Sequence, residues 1–510
     1  EVMPDNKEVT VAPEYKTHLG INPLLLTYIA TLNGYNINEI SEGFRYCCIT
    51  TEDDTSIIPL ASLFPKATFF LVLPDHKSVE KISSIATTAN LTNINFHKLE
   101  NKLLSLKNFN NFDFIVVNEN LSYMDRKTLN LTISIFEKLL NFQGIVHVKY
   151  DCLPGCAPIL DIRQVLVQLD EVLNIDSHGK VLAGLDHIQH LKSKGAPYFL
   201  ENGPVEKCLS GLAQKLTPVT AKILFGSIYK PRFFSDINNR LNKVGMVYSG
   251  SSIAYRNYPE LVLNQEFNDQ ISNSTSRENT ETLLDFLTRQ DFRADIFVKD
   301  ANTFTATEQL DALSSIPFGA LVSLDNFPRD INFGQVNIHY NSEIINTIIE
   351  ELTTNAKTVK NLSSLVSLSA HPKEAILENV NLLVASGYVL PLKRETSPSN
   401  KKFIQANRFH LCDPCNQEIL KNGLFSEPFI CLAAKKFGIQ FEISRDDAIL
   451  LVCLLEAPKE HLLNWIVQRV SEEDPKLLTD PKAIEKKLVN FRQTKLPKLV
   501  EFGIIEPEII

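Results

Sequence analysis

No stretch of this 510-residue chain approaches the run of about 18 apolar residues that a membrane-spanning helix needs, and no long block of like charge occurs. The 51 basic and 60 acidic side chains are interspersed and leave a formal charge of -9. That balance argues against a dedicated nucleic-acid surface. Residues Glu1 to Pro13 are polar and lack the apolar stretch of a signal peptide. Residue 1 is Glu and not Met, so the natural start is read as missing or processed. The nine cysteines (47, 48, 152, 156, 208, 412, 415, 431 and 453) are odd in number, and Cys453 lies inside the apolar run Ile449 to Leu455. They are expected to be reduced thiols of a cytoplasmic protein.

A second absence is local. Short apolar runs of strand length, Phe44 to Ile49, Ala67 to Leu73, Ile94 to Phe96, Phe112 to Val117 and Ile145 to Tyr150, alternate with helix-length stretches. Such alternation predicts parallel βαβ units, an α/β Rossmann-like sheet with helices on both faces and a ligand crevice at the carboxyl ends of the strands. A nucleoside cofactor held there needs glycines in the turn after the first strand, where the backbone must approach the ligand and adopt positive φ. That turn reads Cys48-Ile49-Thr50-Thr51-Glu52-Asp53-Asp54 and has no glycine. Where an acid would hold the ribose hydroxyls at the end of the second strand stands Leu73, with Asp75 two residues on.

Beyond the Pro154-Gly155 turn, Ile159 to about Lys215 is helical in pattern. Helices are predicted at Phe233 to Lys243, stopped by Gly245, and at Thr280 to Arg289, with the polar Asn264 to Asn279 between them read as a mobile loop. Helices at Ile344 to Leu352 and Lys373 to Ala385 run into Ser386-Gly387-Tyr388-Val389-Leu390, the ending of a small winged-helix-like unit. A similar ending recurs at Leu499 to Ile505, with Arg394 to Lys402 as the linker. The helix before Gly387 has as much acid as base and no arginine to reach a base edge, so no DNA binding is expected of it.

Several of these segments carry a family resemblance. Thr17-His18, Arg45 opening a strand, Ile57-Ile58-Pro59-Leu60-Ala61, Phe64-Pro65-Lys66-Ala67, Asn93-Ile94, Phe112-Asp113-Phe114-Ile115, and Tyr150 followed by Pro154-Gly155 resemble bacterial class I S-adenosylmethionine-dependent methyltransferases with a methyltransferase regulatory domain. That group includes enzymes that methylate lysines of outer-membrane proteins. The resemblance continues through Tyr229 to Phe234, Val244 to Tyr248 and, most specifically, Leu284-Asp285-Phe286-Leu287-Thr288-Arg289-Gln290-Asp291-Phe292-Arg293. It implies a methyltransferase-like sheet domain over 1–156, a helical insert or dimerisation region over 157–220 and a regulatory-like domain over 221–335. A helical winged-helix-like unit over 336–396 and a C-terminal domain over 397–510 would follow.

Carried over by position, the family's cofactor-loop glycines fall on Thr50, Glu52 and Asp54, its ribose acid on Leu73 with Asp75 as a substitute, and its His-Gly pair on Asn118-Glu119. Ser122, Tyr123 and Tyr150 fall among the residues lining the cofactor site and its mouth, and Asp151 stands where the family commonly has an amide. Two readings follow. In one, donor binding is weak or lost and the chain acts through binding, as a homodimer, paired with an active relative, or holding a protein substrate in the cleft between the sheet domain and the C-terminal units. In the other it is a working S-adenosylmethionine-dependent protein-lysine methyltransferase with an unorthodox loop, in which positioning and desolvation supply the rate. The eroded loop favours the first. Cys412 and Cys415 lack a second pair to complete a four-ligand zinc site, the turn cysteines Cys152 and Cys156 are read in the same way, and His187 and His190 read as surface histidines; no metal is expected. Glu52-Asp53-Asp54 reads as solvated acid.

Overall fold

The five apolar runs form the parallel part of a central sheet because each must be buried on both faces. The computed structural model describes residues 10–508, apart from 39, 41, 51–54, 171–174, 217–220, 222–223, 226–227, 397–405, 407, 424–427, 457–463, 466 and 470–480. The sheet's strands are β1 (Arg45–Ile49), β2 (Thr68–Leu73), β3 (Ile94–Lys98), β4 (Phe112–Asn120), β5 (Leu140–Asp151), β6 (Met246–Ser251) and β7 (Phe292–Lys299), in the spatial order β3-β2-β1-β4-β5-β7-β6. From β3 to β5 all neighbours are parallel, whereas β7 runs antiparallel to both β5 and β6.

Side-chain alternation divides the sheet residues between two cores. Tyr46, Cys48, Phe69, Leu71, Leu73, Phe114 and Val116 pack against helices Pro23–Leu32, Ile57–Leu63 and His76–Thr88. Cys47, Ile49, Phe70, Val72, Ile115 and Val117 pack on the other side with helices Arg126–Leu139 and Phe234–Asn242. Burial of this kind stabilises by roughly 25 cal/mol per Å² of apolar surface.

The last two strands of the sheet come from beyond residue 221, so the region expected as a separate regulatory-like domain supplies β6 and β7 to the sheet itself. β5 needs a partner along its outer edge, and a pairing across more than a hundred residues leaves no local signature. Between β5 and β6, helices Ala157–Asp170, Ser177–Ser193 and Gly203–Lys215 enclose a small core of their own around Ile162, Leu166, Val181 and Ile188.

Asn264 to Asn279, expected as a mobile loop, is ordered into helix Gln265–Ser272 and the start of helix Arg277–Leu287. The same Asn and Ser residues that suggested a loop act as N-caps: the Asn264 side chain accepts from the Phe267 amide at 3.1 Å and Ser276 from the Asn279 amide at 3.2 Å. Phe267 and Ile271 turn inward to join Leu284.

Both helix-glycine-strand endings are present, with Gly387 at φ +79° and Gly503 at φ +63° leading into strands Val389–Pro391 and Ile505–Pro507. The winged-helix detail itself is not established. The three-stranded sheet of the first unit has Pro317–Ala320 as its middle strand, between Lys357–Thr358 and Val389–Pro391, so the unit draws on chain upstream of residue 336. Residues 397–402 of the expected linker lie outside the described residues. The C-terminal unit carries the hairpin Phe429–Ala434 with Ile439–Ser444, and this hairpin packs on helix Ile57–Leu63 next to the crevice.

Candidate functional site

The carboxyl ends of β1, β4 and β5 bring a polar group together. Thr50, directly after β1, is buried, and its amide donates to the Val72 carbonyl at 3.1 Å, extending the pairing with β2. Glu52 and Asp54 lie outside the described residues. On β4 the buried Asn118 donates to the Ser56 hydroxyl at 3.3 Å and accepts from the Lys149 ammonium at 3.0 Å. The Ser56 carbonyl in turn accepts from the Gln440 side chain at 3.0 Å, so the C-terminal hairpin reaches the crevice. Burial pushes the Glu119 carboxyl up, with Lys149 opposing.

Asp151, the last residue of β5, is the centre of a second group at the mouth. Its Oδ1 accepts from Asn120 at 2.7 Å and its Oδ2 from the Tyr123 hydroxyl at 3.2 Å, while its amide donates to the Ser122 hydroxyl at 3.0 Å. Asn120 places Ser122 and Tyr123 by capping the single 3-10 turn that carries them, accepting from the Ser122 amide at 2.9 Å. Tyr229 stacks on Tyr123 with ring centroids 5.2 Å apart and also hydrogen-bonds Asp151. Burial raises the Asp151 carboxyl, and the hydrogen bonds from Asn120, Tyr229 and Tyr123 work against it. Burial is also the main cause that holds both phenols up and lifts the neighbouring Cys156 thiol to about 12.

Other residues singled out from the sequence face elsewhere. Leu73 is 0% exposed within the apolar core. Asp75 caps helix His76–Thr88, its Oδ1 accepting from the amide and hydroxyl of Ser78 at 2.8 and 2.9 Å. At the end of β2, then, Leu73 lies in the core and Oδ1 of the exposed Asp75 carboxylate caps a helix. Tyr150, one residue before Asp151 and so on the opposite face, is fully buried and donates to Asp295 at 2.7 Å. Asp295 belongs to a buried cluster in which Arg293 also pairs with Asp285 and Glu281 at 2.7 and 2.8 Å. Within the run Leu284 to Arg293, Asp285 and Arg293 thus belong to this buried cluster and not to the crevice.

Cys415 is buried and its thiol pushed up to about 12, while Cys412 is exposed. Cys152 donates to Asp285 and Cys156 to the Asp291 carbonyl. His187 and His190 are exposed on helix Ser177–Ser193. Sequence reasoning passed over Lys149, Asn120 and Tyr229. Lys149 was open to inference, since β5 alternation puts residues 147, 149 and 151 on one face.

Residues 224–299 match the family described as a predicted methyltransferase regulatory domain. An uncharacterised protein of Synechocystis is 21% identical over 494 residues, covering 95% of this chain and 96% of its own. An uncharacterised protein of Rickettsia prowazekii is 22% identical over 406 residues, covering 72% and 70%. The structure of PKMT2 from Rickettsia typhi superposes with a TM-score of 0.69 at 16% identity, covering 97% of this chain and 99% of that one. Its complex with AdoHcy gives a TM-score of 0.70, also at 16% identity, covering 96% and 99%. The chain therefore has the fold of PKMT2 over nearly its whole length and carries the regulatory-domain match at 224–299.

Proposed function

We propose that this protein grips S-adenosylmethionine weakly and acts by holding a protein partner, either a second copy of itself, an active relative or a lysine-bearing polypeptide. The observation that carries the reading is the end of β2, where Leu73 is sealed in the core and Oδ1 of the Asp75 carboxylate is engaged in capping a helix. That PKMT2, which has the same fold, was solved in complex with AdoHcy supports S-adenosylmethionine as the donor class considered for this chain. Losing an acceptor for a buried hydroxyl pair costs about 1–3 kcal/mol, roughly fivefold to 150-fold in affinity.

Calorimetric titration of the full chain with S-adenosylmethionine tests this. No saturable binding is expected at micromolar donor, with partial recovery when Thr50, Glu52 and Asp54 are all changed to Gly. Leu73→Asp is left out of that variant because it would put a carboxylate in the core. Tight binding by the unmodified chain would overturn the reading.

A second reading, an active protein-lysine methyltransferase, is favoured by the Asp151 group. A half-buried carboxylate whose hydrogen-bond partners Asn120, Tyr123 and Tyr229 are all neutral suits an incoming ammonium. In that reading the two tyrosines position the lysine side chain and Asp151 holds its amine. Labelled methyl transfer to a lysine-bearing protein, lost in Asp151→Asn, would establish it.

A further inference from the structure

A three-residue cluster lies outside the crevice and joins the two ends of the chain. His18 sits on the short helix Thr17–Gly20 and is buried. Cys431 and Glu442 are directly paired across the C-terminal hairpin, which puts their side chains on the same face of it. One ligand atom from each of the three, an imidazole nitrogen, a sulfur and a carboxylate oxygen, lies within 4.8 Å of the other two. The His18 Nδ1 to Glu442 Oε2 separation is 3.8 Å. A tetrahedral ion with metal–ligand bonds of about 2.0–2.3 Å holds its ligands about 3.3–3.8 Å apart. The observed spacing therefore needs a contraction of no more than about 1–1.5 Å by that geometry.

We propose that His18, Cys431 and Glu442 form a site for a zinc-class divalent cation that ties the N-terminal segment to the C-terminal hairpin, with solvent as the fourth ligand.

Three features of the surroundings fit. The ligand set mixes thiolate, imidazole and carboxylate, which suits zinc over magnesium or calcium. Lys16 holds Glu442 Oε1 at 2.6 Å, so this carboxylate has one oxygen anchored and the other turned towards His18, as outer-sphere partners commonly arrange a metal's ligands. His18 is buried with its Nδ1 facing Glu442, so the ring is held in place beside the other two ligands. The Lys16 ammonium repels a cation, but two anionic ligands outweigh it. His18 and Glu442 also line a cavity of about 230 Å³, together with Lys16, Gln440 and Lys495. Gln440 reaches Ser56, so an ion here would stiffen the contact through which the hairpin touches the crevice.

The test is a cobalt titration of the full-length, chelator-treated protein. Stoichiometric Co²⁺ is expected to give tetrahedral d–d bands and a thiolate-to-cobalt charge-transfer band, both erased by competing Zn²⁺. Cys431→Ser should abolish the charge-transfer band while circular dichroism shows the fold intact, and Glu442→Gln and His18→Gln should each weaken Co²⁺ binding at least tenfold. Absence of a charge-transfer band in the parent protein overturns the proposal. So does an unchanged band in Cys431→Ser, which would assign the metal to other thiols such as Cys412 and Cys415.

Discussion

Adjacent residues of β5 face two carboxylate clusters of opposite construction. On one side Tyr150 joins Asp295, Asp285 and Glu281 around Arg293, which makes an ion pair with each carboxylate and stacks over the Phe234 ring at 4.4 Å. On the other side, among the described residues, Asp151 is held by neutral donors, in a mouth bordered by two stacked tyrosines. The first cluster is completed from within the chain and so reads as structure. The second has spare capacity for a cationic group and so reads as a site. Burial costs both sets of acids, and the difference lies in whether the compensating cation is built in.

The largest effect should come from removing that cation. Arg293→Met leaves three acids around an apolar side chain and is expected to cost about 3–5 kcal/mol, seen as a fall in the urea midpoint. A loss below about 1 kcal/mol would break the comparison, because the cluster would then not depend on its arginine.

The next effect is one of pH. Asp285 is raised from 3.8 to about 6, by burial above all, with Arg293 opposing. A raised acid makes folding more favourable when protonated, so its contribution is present below about pH 4 and is lost as pH climbs to about 6. Asp285→Asn should flatten the stability profile in that window by an amount on the order of a few kcal/mol. Parallel profiles for parent and variant in denaturant titrations across that range would contradict the shift.

At the mouth the effects should be smaller. Asp151→Asn keeps an acceptor for Tyr123 and removes a costly charge, so stability should stay within about 1 kcal/mol of the parent. Tyr123→Phe deletes one donor to Asp151 and should cost about 0.5–1.5 kcal/mol in the same assay. If Asp151→Asn instead destabilised as strongly as Arg293→Met, both clusters would be structural and the proposed site would lose its main support.

The five parallel strands were legible because burial on both faces leaves continuous apolar runs, and helix Lys373–Ala385 because its stop at Gly387 needs positive φ. The glycine-free turn after β1 was equally plain. Asn264 to Asn279 misled because Asn and Ser serve loops and helix caps alike, and composition does not distinguish the two. Tyr150 could have been assigned to the core by counting alternation along β5 from Tyr150 to Asp151. Family position pointed instead to the crevice.

The sequence by itself determined the sheet's apolar strands, the lack of glycine where a donor would lie, and the helix endings, since each follows from residues close together in the chain. Only the tertiary structure decided that β6 and β7 complete the sheet, that Asp285 and Arg293 join Glu281 and Asp295 in a buried ion cluster, and that Tyr229 joins Tyr123 over Asp151. It alone also set His18 beside Cys431 and Glu442. These depend on which distant segments are brought together when the chain buries its apolar surface, and hydrophobic burial is non-directional, so no local pattern encodes the partner.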